Sequence, residues 1–157
     1  YQQGPAEILP QLYLGSSHNA CPRILDTYGI TCVINVAAEI STPNFGAFPY
    51  NNARTPGNRI SYHHLPWTHS QDNLAEYEFT RAIRTIEEAQ LANTTVLIHC
   101  QQGIERSAAL VIAYKPLPLD NLQLSISQAY EFVRKRAPCI HPNMELMYQL
   151  KEFERKI

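Results

Sequence analysis

Residues 31–37 (TCVINVA) and 95–100 (TVLIHC) are β-branched or nearly continuous apolar runs without polar alternation. That pattern suits strands covered on both faces, as in a parallel sheet between layers of helix. Residues 60–65 (ISYHHL) form a weaker strand candidate, and residues 11–14 another near the start. Elsewhere the apolar spacing turns helical. Across residues 73–91, Phe79, Ile83, Ile86 and Ala89 recur near the helical repeat, with Glu76, Arg84, Glu87 and Glu88 available to the wet side. Ile126, Ala129, Tyr130 and Val133 repeat the i, i+3, i+4, i+7 spacing behind Ser125 and Gln128, a capping-box pair. Leu146, Leu150, Phe153 and Ile157 mark a last amphipathic helix, opened by Pro142 and Asn143. Residues 107–114 (SAALVIAY) are apolar nearly all round, which a helix tolerates only in the middle of a domain. Lys115-Pro116-Leu117-Pro118 then stops that helix, because an interior Pro removes a hydrogen bond and clashes with the preceding turn. Residues 39–59, rich in Pro, Asn and Gly, read as a long loop. The alternation of strand and helix predicts an α/β fold, a mostly parallel central sheet flanked by helices on both faces.

Composition narrows the class. A chain of 157 residues, 45% hydrophobic, suffices for one substantial core and not two, so residues 1–157 are expected to form one domain. A formal charge of -1 supplies no basic field for a polyanion and argues against nucleic acid as a partner. No apolar run reaches membrane-spanning length, and YQQGPAEILP lacks the basic and apolar regions of a signal peptide. A soluble, intracellular chain away from membranes is therefore expected; a monomer in the cytoplasm is the reading adopted, with the nucleus as an additional location left open. The missing Met at position 1 suggests an excised domain whose flanking segments are out of view. Cys21, Cys32, Cys100 and Cys139 are too widely separated for zinc pairs or a small disulfide scaffold, and at least three are expected to be packed thiols. His63 and His64 are adjacent, so in a strand their rings leave opposite faces and cannot share one metal. Neither a metal nor another cofactor is expected.

The candidate chemistry is written where the second strong strand meets the buried helix, in HCQQGIERSA at residues 99–108. Ligands of α/β sheets bind at the carboxyl ends of strands, where the following helix points its unsatisfied N–H groups, so an anion is the expected guest. Residues 101–107 have the length to curl a ring of amides around one tetrahedral oxyanion, and Gly103 permits the backbone angles of a tight curl. Helix N-termini and nearby cations favour the thiolate form, so Cys100 is expected to be a nucleophile. Arg106 offers a planar fork of donors for two phosphoryl oxygens. In-line attack at phosphorus would form a phosphocysteine that water hydrolyses, dividing one difficult displacement into two easier ones.

His-Cys-x5-Arg-Ser in this context resembles the protein tyrosine phosphatase superfamily. Gly4-Pro5, Ile8-Leu9-Pro10 and residues 12–16 (LYLGS) resemble the opening of dual-specificity phosphatases of the MAP kinase phosphatase type. Further landmarks are Gly29-Ile30-Thr31 with residues 33–36 (VINV), residues 129–133 (AYEFV), Pro142-Asn143, Gln149-Leu150 and Phe153-Glu154. The resemblance covers nearly the whole chain and implies the cysteine phosphatase fold. It implies Cys100 as nucleophile, Arg106 with the amides of Gln101, Gln102, Gly103, Ile104 and Glu105 as phosphate binders, and Ser107 as an aid to the leaving thiolate. His99 would brace the loop. The implied substrate is a phosphorylated protein carrying phosphotyrosine and phosphothreonine or phosphoserine, with an activated MAP kinase as the expected partner.

Two positions depart from the family pattern. The family supplies an Asp before the helix that begins near residue 73 to protonate the leaving oxygen; the matching position here is His69, and Asp72 follows three residues later. Asp72 is the preferred acid, with His69 as the alternative, although an Asp at a helix start also serves as an N-cap. Glu105 stands where related loops carry a small residue, and a negative charge there is expected to weaken anion affinity unless its side chain turns away. Arg134-Lys135-Arg136 ends a helix, where the dipole and solvent suffice to explain three cations. A phosphate-binding pseudophosphatase is the competing reading, and an RNA or lipid phosphatase is disfavoured by the neutral-to-acidic loop.

Overall fold

The structure is a computed structural model describing residues 1–41, 60–114 and 124–156. Among the described residues five short strands form one sheet: β1 (Ala6–Leu9), β2 (Leu12–Gly15), β3 (Cys32–Asn35), β4 (Ser61–His64) and β5 (Val96–His99). Their spatial order is β1-β2-β5-β3-β4; β1 runs antiparallel to β2, and the remaining pairs are parallel. The helices are α1 (Pro22–Tyr28), α2 (Phe79–Leu91), α3 (Arg106–Tyr114), α4 (Ile126–Arg136) and α5 (Met144–Lys156). This is the expected α/β class with a mostly parallel sheet.

Strand alternation explains why both faces need cover. Leu12, Leu14, Cys32, Ile34, Val96 and Ile98 point into the larger core with α2 to α5. Val33 and Leu97, between them, point the other way and meet Leu25 and Ile30 at α1. The larger core encloses α3, whose residues from Arg106 through Ala113 are all buried, and α3 packs on α2, α4 and α5. Its all-round apolar surface is thereby accounted for, and each buried aliphatic side chain contributes roughly 1.5–3 kcal/mol. Gln128 and Ser125 do form the predicted box at α4, and the Asn143 carboxamide oxygen accepts the Leu146 N–H (2.8 Å) at the start of α5. Arg136 stacks on Phe132 at 3.6 Å and donates to its carbonyl, so at least one cation of that basic run has a local structural role.

Several expectations need correction. The helix read over residues 73–91 opens with a wider, π-helical turn, Leu74–Glu78, before α2 begins. That turn carries Glu78 inward, where it accepts the Trp67 indole N–H (2.9 Å). Strand β1 and helix α1 were not predicted. In α1 only Leu25 is fully buried, too little for a periodic signal in seven residues, and Gly29 at φ 68° ends it in the left-handed conformation. Nor is Cys139 a packed thiol: it is exposed between buried Ala137 and Ile140, while Cys21 is half-buried. Cys32 is packed, and burial pushes its thiol up to about 11. His63 and His64 do diverge, one ring reaching Ser61 and the other the Ala37 carbonyl. The Lys115–Pro118 stop, most of the loop read over residues 39–59, and Ile157 lie outside the described residues.

Candidate active site

Parallel pairing of β2, β5 and β3 brings Gly15, His99 and Asn35 side by side, so the segments leaving these strands converge at one edge. Cys100 follows β5 directly, and residues 101–105 turn back to start α3 at Arg106. The Cys100 Sγ lies 3.1 Å from Ser107 Oγ and accepts the Gly103 N–H at 3.3 Å. Only 2% of Cys100 is exposed, so the sulfur forms the floor of the cradle. Gly103 holds φ 74°, and its carbonyl accepts the Tyr1 hydroxyl (2.7 Å). The Gln101 carbonyl accepts the Ser17 N–H (3.0 Å), and that of Ile104 accepts the His141 N–H (2.8 Å). Segments far apart in the chain thus hold the loop from three sides.

His99 is buried, with Nδ1 donating to the carbonyl of Cys100 (2.9 Å). A carbonyl only accepts, so the proton sits on Nδ1, and burial pushes the imidazole below its ordinary pKa. Its Nε2 is buried and has no hydrogen-bond partner among the described residues. His99 thus makes one bond to the loop's first peptide group.

Arg106 is 1% exposed and held by two segments absent from the motif. Nη1 donates to Glu39 Oε1 (2.7 Å) and to the Trp67 carbonyl (2.9 Å), and Nη2 donates to Glu39 Oε2 (2.5 Å). Burial opposes the guanidinium charge, but the bonds to Glu39 and the nearby Cys100 and carboxylates outweigh it and raise the pKa. Reciprocally, the Arg106 bonds draw Glu39 down to about 2. Sequence reading missed Glu39, which stood as the first residue of a loop. The available signal was its position just beyond the carboxyl end of a central strand.

A cavity of about 20 Å³, room for roughly one water, is lined by His69, Cys100, Gln101, Gln102, Ile104, Glu105 and Arg106. Glu105 turns toward the cradle rather than away: its carboxylate lies 3.3 Å from His69 Nδ1. His69 Nε2 stands 3.4 Å from Arg106 Nη2 and 3.8 Å from Glu39. Asp72, the preferred acid, is not among the lining side chains; it is exposed, and its carbonyl is tied to Gln149 (3.1 Å). Of the two acid candidates, the fold brings His69 to the sulfur's cavity.

A thiol at the floor of an amide loop, beside a buried arginine on a strand-loop-helix crossing, makes a cradle whose chemistry suits an anion. Residues 12–156 match the family described as dual specificity phosphatase, catalytic domain, and the chain belongs to that family. It is 36% identical to dual specificity protein phosphatase 1-A of Xenopus laevis over 99% of this chain and 38% of that protein. It is also 36% identical to human dual specificity protein phosphatase 7, over 98% of this chain and 34% of that one. The chain thus spans little more than a third of the length of these relatives. Among solved structures, human DUSP28 superimposes with a TM-score of 0.77 at 23% identity, covering 97% of this chain and 93% of that one, a likeness of fold. The human tyrosine phosphatase-like serine/threonine/tyrosine-interacting protein superimposes with a TM-score of 0.74 at 27% identity, covering 98% and 97%.

Proposed function

We propose that this chain hydrolyses phosphotyrosine and phosphothreonine or phosphoserine in proteins through a phosphocysteine on Cys100. The observation that carries this reading is the sulfur itself, held between the Gly103 N–H and Ser107 Oγ with Arg106 beside it. Sγ attacks phosphorus as the ester P–O bond breaks, and the leaving oxygen takes a proton from a nearby side chain. His69, at the rim, is better situated to donate it than Asp72. Water then attacks the phosphocysteine, releasing inorganic phosphate and restoring the thiolate, with Ser107 donating to the departing sulfur. The amides of residues 101–105 and Arg106 hold the phosphoryl oxygens through both steps. The resemblance to the MAP kinase phosphatase type supports an activated MAP kinase as substrate.

Turnover of phosphotyrosine, phosphothreonine and doubly phosphorylated activation-loop peptides tests the proposal, with Cys100→Ser as the decisive variant. Cys100→Ser should lose turnover and keep phosphopeptide binding. Undiminished hydrolysis by that variant would overturn the mechanism. Binding without turnover by the unaltered protein, even on an activated aryl phosphate, would instead favour a phosphate-binding pseudophosphatase.

A further inference from the structure

Arg106 has five N–H donors, and three are already engaged: two by the carboxylate of Glu39, one by the Trp67 carbonyl. The two that remain, Nε–H and the second hydrogen of Nη2, share one edge of the planar fork. Nε is buried without a partner among the described residues, and Nη2 meets only His69 Nε2 at 3.4 Å. A buried charged donor without an acceptor is costly unless a ligand completes it. We propose that Glu39 is a positioning residue for phosphate, gripping Arg106 end-on so that its Nε and Nη2 edge is presented to two phosphoryl oxygens. The inference rests on Cys100 and Arg106 forming a phosphate cradle, and adds a residue outside the loop to it.

Glu39 is itself firmly placed. Asn35, fully buried at the end of β3, accepts the Ala37 N–H (2.9 Å) and donates to the Ile40 carbonyl and the Tyr62 hydroxyl (2.9 Å each). Val36 N–H donates to the His99 carbonyl (2.9 Å), and Ala38 N–H to that of Trp67 (2.9 Å). The turn carrying Glu39 is therefore pinned to β5 and to the segment that also bonds Arg106. The Glu39 carboxylate spans Nη1 and Nη2, so it occupies a different side of the guanidinium from the Nε and Nη2 edge. Its persistence as a carboxylate down to about pH 2 keeps the grip intact at any working pH. An arginine fixed in this way loses little side-chain freedom when phosphate arrives.

The competing possibility is that Glu39 imitates phosphate and must be displaced, and the two differ in sign. Inorganic phosphate is titrated into the folded protein by calorimetry, and the Arg106 Nε–H resonance is followed in ¹H–¹⁵N spectra. Neither readout requires turnover, so failure of the catalytic reading and failure of this one remain distinguishable. In the unaltered protein, phosphate should shift the Nε–H resonance. Glu39→Gln should broaden it and weaken phosphate binding by about three- to tenfold, the loss expected when one long side chain must be immobilised on binding. The near-UV circular dichroism spectrum of Glu39→Gln should match that of the parent, which a general collapse of the site would not allow. Should Glu39→Gln not fold, Glu39→Asp replaces it: the shorter reach keeps the charge but should weaken phosphate binding. Unchanged or tighter phosphate binding by the folded variant, or an Nε–H resonance unmoved by saturating phosphate, would overturn the proposal.

Discussion

Replacing Gly103 with Ala tests the backbone of the cradle without touching a reacting group. Gly103 has φ 74°, and a Cβ added there would meet the Gly15 carbonyl oxygen at 2.5 Å and its carbon at 2.8 Å, besides colliding with the Tyr1 ring. Tyr1 has a side chain that can turn. Gly15 does not: it ends β2 and is paired with His99 of β5, so its carbonyl retreats only if the strand pairing moves. A left-handed backbone costs a non-glycine residue about 1–2 kcal/mol, and overpacking costs about 1–3 kcal/mol, giving a total of roughly 2–5 kcal/mol. Against a total stability of about 5–15 kcal/mol the variant should still fold, with its margin much reduced. For a chain of this length each kcal/mol lowers Tm by about 2–4 °C, so the melt should move down by about 4–20 °C. Circular dichroism in a common buffer measures it. Aryl phosphate turnover, measured well below the melt, should also fall, because the Gly103 N–H that meets Cys100 Sγ is displaced. Adding Tyr1→Ala should recover little, since Gly15 remains in place. A melt indistinguishable from the parent, with turnover intact, would refute this account of the loop.

His69 and Asp72 make opposite forecasts about leaving groups. His69→Asn should cost about 10²–10⁴-fold on phosphopeptides and little on aryl phosphates with good leaving groups, while Asp72→Asn shows no such dependence. Steady-state kinetics across a series of leaving groups measures both, and the reverse pattern would restore Asp72 as the donor. The Arg106–Glu39 pair should also appear in acid stability. Glu39 drops from 4.5 to about 2 on folding, so the unfolded chain takes up its proton first and protonation favours unfolding. The pair's contribution is present above pH 4.5 and is lost as pH falls from there through about 2. Urea midpoints of the parent and Glu39→Gln should therefore converge across that window; a gap that stays constant would mean the ionised carboxylate is not its source.

Much of the catalytic constellation lies in one stretch of sequence, which is why it can be read without a structure. Cys100, Gly103, Arg106 and Ser107 occupy one strand-loop-helix crossing, and the apolar runs on either side announce a buried strand and a buried helix. Local chemistry also declared the Ser125–Gln128 box, because both partners lie within one helical turn. Amphipathic spacing marked α2, α4 and α5 because each is long enough to repeat its apolar stripe. What holds the cradle together was not legible in this way. Tyr1, Ser17, Glu39, Trp67 and His141 each bond to the loop or to Arg106 from elsewhere in the chain. Their arrival depends on the order β2-β5-β3, which sets the ends of strands distant in sequence beside one another. Hydrophobic periodicity states that a strand is buried but not which strand lies next to it. The same reason sets His69 and Asp72 apart: three residues from each other in sequence, they are separated by the tie from Gln149 on α5 to the Asp72 carbonyl and by the Arg106 fork beside His69. Sequence alone determined which residues stand at the strand-loop-helix crossing and which layers enclose them; pairing of remote strands decided which side chains bond Arg106 and which one stands at the cavity above the sulfur.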